Sequence, residues 1–129
     1  MAEPVEPKRW WTVEEANAAL PHVTEVVERA REAAQGMQER AQRLTAVARR
    51  NGHGPPQDEA AIFNEAVRDL AKDGIVLRDV EQGLIDFPAQ APSGRAYWLC
   101  WLVGEPEVAW WHWPEDGFPG RTPLDQPPG

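Results

Sequence analysis

Arg95–Arg121, RAYWLCWLVGEPEVAWWHWPEDGFPGR, is the stretch that decides the fold of this chain. Two apolar, aromatic runs, Arg95 to Val103 and Val108 to Trp113, flank the turn signal Gly104-Glu105-Pro106-Glu107. The pattern predicts an antiparallel hairpin. The stretch holds five of the seven tryptophans, the only Cys and the only Tyr, so much of the core must come from it. Between Ala96 and Gly120 it has no Lys or Arg but four acids: Glu105, Glu107, Glu115 and Asp116. Wide aromatic surface beside uncompensated negative charge fits a cation or metal site, or a protein interface.

Period-two patterning continues upstream to Gly74. Ile75 to Arg78 and Leu84 to Phe87 read as strands joined by a turn at 79–83, with Gly83 suited to positive φ and Pro88 as a stop. Residues 75–113 thus predict a three- to four-stranded antiparallel meander. Downstream, Pro and Gly dominate. Residues 114–124 read as a tail docked through Phe118 and Leu124 without regular structure, and 125–129 as disordered.

Before Gly74 the period is helical. Thr12-Val13-Glu14-Glu15 is a capping box. Apolar residues then recur at Val13, Ala16, Leu20, Val23, Val27, Ala30, Ala34, Met37, Ala41, Leu44 and Ala48, the 3-4 spacing of a coiled-coil seam. Pro21 predicts a kink or a fresh helix start. Asn51 to Pro56 ends the helix. A second, shorter helix from about Asp58 to Lys72 carries the stripe Ile62, Phe63, Ala66, Val67 and Leu70 and stops at Gly74. The two form an antiparallel hairpin over 12–73. About 38 residues face about 15, roughly 57 Å against roughly 23 Å, so the N-terminal half of the long helix needs cover from the sheet or a second subunit. The expected architecture is one α+β domain at 11–124, with 1–10 a disordered lead.

The 129 residues carry a formal charge of −8, which opposes electrostatic binding to nucleic acid or anionic membrane. A lone Cys100 allows no internal disulfide and fits a reducing compartment. With no apolar run of membrane length and a polar, Pro-rich start, a cytoplasmic protein is expected.

Several motifs resemble one bacterial family. They are Thr12 to Pro21 (TVEEANAALP), Gly83 to Pro88 (GLIDFP), Tyr97 to Trp101 running into Gly104-Glu105-Pro106, Trp111-His112, and Gly117 to Arg121 (GFPGR). The family is domain of unknown function 2203. The resemblance covers roughly Trp11 to Leu124. It implies a small cytosolic bacterial protein with a helical front half, and brings no activity, cofactor or catalytic residue to these positions.

A turn centred on Glu105-Pro106 pairs Val103 with Val108, Trp101 with Trp110, and Leu99 with His112. Tyr97, Trp101, Trp110 and His112 then share one face, and an even closure before Arg95 adds Asp86 opposite Tyr97. Cys100 falls on the other face, which favours a buried structural thiol over a nucleophile. Asp86 and His112 read either as a metal or acid–base pair or as a core histidine with a turn-anchoring aspartate. Glu105 and Asp116 are further candidate ligands in an acidic rim, although solvation is the plainer reading of Glu105. Gly117 to Arg121 reads as an anion cradle or as a tied-down tail. His22 and His53 read as surface residues.

The leading expectation is a self-associating binding module, a homodimer. Asp86, Tyr97, Trp101, Trp110 and His112 would form a face for a cationic ligand or a basic protein segment. The alternative is a metal-binding protein or small metal enzyme, in which His112, Asp86, Glu105 and Asp116 hold a divalent transition metal.

Overall fold

The computed structural model describes residues 9–51 and 57–129. The lead at 1–8 and the loop at 52–56, with His53, lie outside the described residues. Two helices, α1 (Val13–Asn51) and α2 (Gln57–Lys72), precede β1 (Val76–Asp79), β2 (Leu84–Gln90), β3 (Ala96–Leu102), β4 (Trp110–His112) and β5 (Thr122–Pro123). The strands form one sheet in sequence order, with every neighbouring pair antiparallel. The α+β hairpin-and-meander architecture is therefore the observed one. The sheet has five strands rather than three or four, because the tail adds β5 to β4.

α1 starts on its capping box. The Glu15 amide donates to Thr12 Oγ1 at 3.1 Å, and the Thr12 amide donates to Glu15 Oε1 at 3.0 Å. The helix continues through Pro21, so no second helix starts there. Pro21 is exposed, and the bond it removes faces solvent. The buried stripe is Ala16, Val23, Val26, Val27, Ala30 and Ala33. That is broader than a two-position seam, because this stripe packs against α2 and against the sheet together. Ile85, Phe87, Leu99, Trp101, Val108 and Trp111 complete the core beneath it. The sheet thus supplies the cover, and the N-terminal half of α1 gives no argument for a second subunit. Gln38 to Arg43 are exposed, and the seam positions Leu44 and Ala48 fall beyond the described side chains.

α2 ends on Gly74, at φ 78°, where the Ile75 amide donates to the Leu70 carbonyl at 3.0 Å. Trp11 ties the elements together. Its amide donates to the Pro88 carbonyl at 2.7 Å and its indole N–H to the Asp73 carbonyl at 2.9 Å. The first of these bonds explains why Pro88 does not stop β2. β1 pairs no further than Asp86, so the edge where Pro88 lacks an N–H has no strand to serve.

The register differs from simple turn counting. Cys100 pairs with Trp110, Leu99 with Trp111 and Trp98 with His112, one residue away from the expected pairing. Asp86 pairs with Cys100, and Ala89 with Tyr97. Val108 does not pair with Val103. Its amide donates to Asn17 Oδ1 of α1 at 2.7 Å, so the loop dips onto the helix before β4 begins. The tail is also ordered beyond expectation. The Gln126 carbonyl accepts from the Trp111 indole at 2.9 Å, and Pro128 is buried, so 125–129 is not a disordered extension. The Leu124 amide donates to the Ala109 carbonyl at 2.9 Å, whereas Phe118 is exposed.

Candidate metal centre

Strand alternation sorts the sheet into two faces. Tyr97, Leu99, Trp101 and Trp111 face the helices. Asp86, Trp98, Cys100, Trp110 and His112 share the outer face. Tyr97 and Trp101 are thus separated from Asp86 and His112, which the expected face had grouped with them. Cys100 joins His112 instead of opposing it. The physical reason is parity. Both turn lengths differ from the expected ones by an odd number of residues, so Asp86 and His112 both change sides of β3 and remain together.

One row runs straight across the sheet: Val76, Asp86, Cys100, Trp110, Pro123. His112 lies two residues along β4, opposite Trp98. Asp86, Cys100 and His112 therefore meet, each on its own strand, with one ligand atom from each within 4.8 Å of the others. They are 2 %, 0 % and 4 % exposed. Among the described residues this is the only such group of Asp, Glu, His or Cys. Glu105 and Asp116, the other candidate ligands, stand apart from it. Glu105 accepts from Arg121 Nη2 at 2.7 Å and from the Leu102 amide at 2.8 Å, so it is not a freely solvated acid. Asp116 is exposed in a turn.

The hydrogen bonds fix the state of the imidazole. His112 Nδ1 lies 2.8 Å from the Trp113 carbonyl, which can only accept, so Nδ1 carries a proton. Nε2 lies 2.9 Å from Asp86 Oδ2. A lone pair on Nε2 would face a second acceptor, so a positive centre must sit between the two atoms. A proton there makes the ring an imidazolium that donates to Asp86. Burial, the largest single influence, disfavours the charged ring. The Asp86 hydrogen bond and charge, with the Trp113 carbonyl, outweigh it, and the His112 pKa is raised. The Cys100 thiol is pushed up to about 12, by burial first and then by the charge of Asp86, so it is a protonated thiol and not a nucleophile. Among the described residues Asp86 Oδ1 has no hydrogen-bond partner, although it is buried.

Two arginines border the cluster, and turn counting did not bring either to it. Arg78 is the extra residue of a bulge in β1, where Leu77 pairs with Ile85 and Asp79 with Leu84. Its Nε donates to Asp86 Oδ2 at 3.0 Å, and its guanidinium lies 4.8 Å over the Trp98 ring. Arg121 lies 4.5 Å from both the Trp110 and Phe118 rings, with Nη1 3.9 Å from Cys100 Sγ. Glu105 takes both of its terminal nitrogens, so the cation of the expected anion cradle is already paired. Arg95 covers Trp113 and Arg9 covers Trp11 in the same way. Of the rings expected to receive a foreign cation, Trp110 thus carries one of the chain's own guanidinium groups, and no such contact is made by Tyr97 or Trp101 among the described residues. Of the other histidines, His22 is exposed beside Asp69.

A groove of about 710 Å³ runs between α1 and the β1–β2 turn, lined by Glu28, Arg31, Glu32 and Glu81 among others, and none of the three clustered residues reaches it. No helix among the described residues is long and apolar enough to cross a membrane. No curated protein and no solved structure matches the chain. A family model described as "Uncharacterized conserved protein (DUF2203)" does match, over residues 9–124, from the arginine that covers Trp11 to the leucine that docks the tail. On that match the chain belongs to the DUF2203 family.

Proposed function

We propose that this protein binds a divalent transition metal, zinc by donor type, through Asp86, Cys100 and His112. One observation carries the reading: His112 Nε2 and Asp86 Oδ2 face each other at 2.9 Å while Nδ1 is committed to a backbone carbonyl. The Nδ1 bond keeps a proton on that nitrogen, so Nε2 becomes the ligating atom once its own proton is displaced, as the outer hydrogen bonds of metal-bound histidines arrange. The nitrogen, sulfur and oxygen donors suit zinc, and the hard, all-oxygen sets of magnesium and calcium are a poor comparison. The unpartnered Oδ1 of Asp86 gives the carboxylate a second oxygen to offer.

Charge also balances. The metal-free cluster holds a neutral thiol, an imidazolium and a carboxylate. A divalent ion would displace the protons on Sγ and Nε2, leaving the same net charge in the buried site. The test is cobalt titration of untagged, metal-stripped protein. One equivalent should produce a thiolate-to-cobalt absorption band, abolished in Cys100→Ala and competed away by zinc. Folded wild-type protein that takes up neither ion sinks the reading.

A further inference from the structure

Resting on that metal reading, we infer that the open position of the bound ion takes a small carboxylate, with Arg78 gripping its second oxygen. Three protein ligands leave a tetrahedral ion one position short. What borders that position decides the ligand. The two neighbouring cations are not equivalent. Arg121 spends both terminal nitrogens on Glu105 and is wedged between Trp110 and Phe118. Arg78 gives only Nε to Asp86, and among the described residues its terminal nitrogens meet no acceptor. Its side chain is 42 % exposed, so a solute can reach it. Stacking on Trp98, the cross-strand neighbour of His112, holds the guanidinium plane beside the cluster.

Charge then selects the sign. In the loaded site the Asp86 carboxylate and the Cys100 thiolate neutralise a divalent ion, and His112 is neutral. With the cluster itself neutral, the charge of Arg78 is left over, and among the described residues it pairs with no acid besides Asp86. A monoanion restores neutrality. A carboxylate does so with the right shape, one oxygen on the metal and one on the guanidinium fork, in surroundings where such bonds are strong. A cationic ligand would face Arg78 and the metal together, which is the opposite of what the acid-rich sequence around the tryptophans suggests.

The experiment uses the full chain loaded with cobalt, which reports ligand exchange in its visible spectrum. Acetate should change the wild-type spectrum saturably, and methylammonium chloride at the same concentration should not. Arg78→Gln should load cobalt with the same stoichiometry yet need about tenfold more acetate, the weight of one charge-assisted hydrogen bond. If that variant fails to load, Arg78→Lys decides, since it keeps the charge and loses the fork. It should load and bind acetate more weakly than wild type. A wild-type spectrum indifferent to acetate overturns the inference and leaves the metal reading standing, as does equal acetate sensitivity in wild type and the deciding variant. Failure of the wild-type protein to take up cobalt overturns both.

Discussion

Phe87 and Asp86 are adjacent in β2, and they face opposite sides of the sheet. Phe87 points inward, fully buried, 5.1 Å from Trp11 in an edge-to-face contact. Asp86 points outward, also buried, but among polar partners: Arg78, His112 and Cys100. The inner face is covered by two helices. The outer face is covered largely by side chains of its own sheet and tail, with arginine planes laid over tryptophans. The inner face holds the fold together by apolar area. The outer face keeps a buried acid, imidazole and thiol, which an apolar layer would replace at no loss of stability if stability were its only role.

The largest effect that separates the faces should come from Phe87→Ala, which we expect to cost about 3–5 kcal/mol in urea unfolding. Zinc should still raise the melting temperature of whatever folded protein remains. Asp86→Ala should cost roughly 3 kcal/mol, at the lower end for breaking a buried pair because half-exposed Arg78 can turn to water. That variant should lose the zinc-dependent rise altogether. If zinc stabilises both variants equally, the outer face has no special claim on the metal.

How much of this contrast is legible in the sequence depends on the turn. The capping box at Thr12 and Glu15, the hairpin, and Gly74 and Gly83 at positive φ could all be read locally, because each is a local preference. The β3–β4 register could not. It is set by Asn17, ninety-one positions from Val108 in sequence, which draws the loop onto α1. An odd change in loop length moves every side chain to the other face. That is why Cys100 was separated from His112 in sequence and joins it in space. The bulge that leaves Arg78 beside Asp86 likewise depends on the pairing partner and not on residues 76–79 alone.

Gly83 tests the turn that the sequence did reveal. Its φ is 71°, and an added Cβ would fall 2.4 Å from Val103 Cγ2. Gly83→Ala should therefore cost about 1–3 kcal/mol through backbone strain and crowding together. Both faces should weaken in parallel, since the turn sets the β1–β2 edge for each. A neutral result in urea unfolding would mean that the turn relaxes freely.

Arg121→Ala should be milder, about 1–2 kcal/mol, because it removes charge-assisted bonds at a partly exposed position. Its sharper readout is Cys100. In wild type the thiol is buried and should react slowly with a disulfide reagent until denaturant is added. Without Arg121 the sulfur loses a neighbour at 3.9 Å, and native-state modification should accelerate. Equal rates in the two proteins would show that the arginine plane does not shield the site.

The smallest effect is in pH, and it belongs to the outer face alone. The raised pKa of His112 means that the folded protein holds this proton more tightly than the unfolded chain. That part of the stability is complete below the ordinary value of 6.5 and is lost as pH rises through the folded pKa. The Cys100 thiol, moved from 9.0 to about 12, adds a loss of the same sign that begins only above 9.0. Between those values His112 acts without Cys100. Urea midpoints of the metal-free protein should therefore fall between about pH 6.5 and about pH 8.5, in wild type and in the inner-face variant Leu99→Ala, and the part due to His112 should vanish in His112→Gln. Added zinc should reverse the trend, because the metal competes with protons for Nε2 and Sγ and binds better as they leave. If wild type and His112→Gln follow the same profile without metal, no charged imidazole bridges to Asp86, and the outer face is a passive core after all.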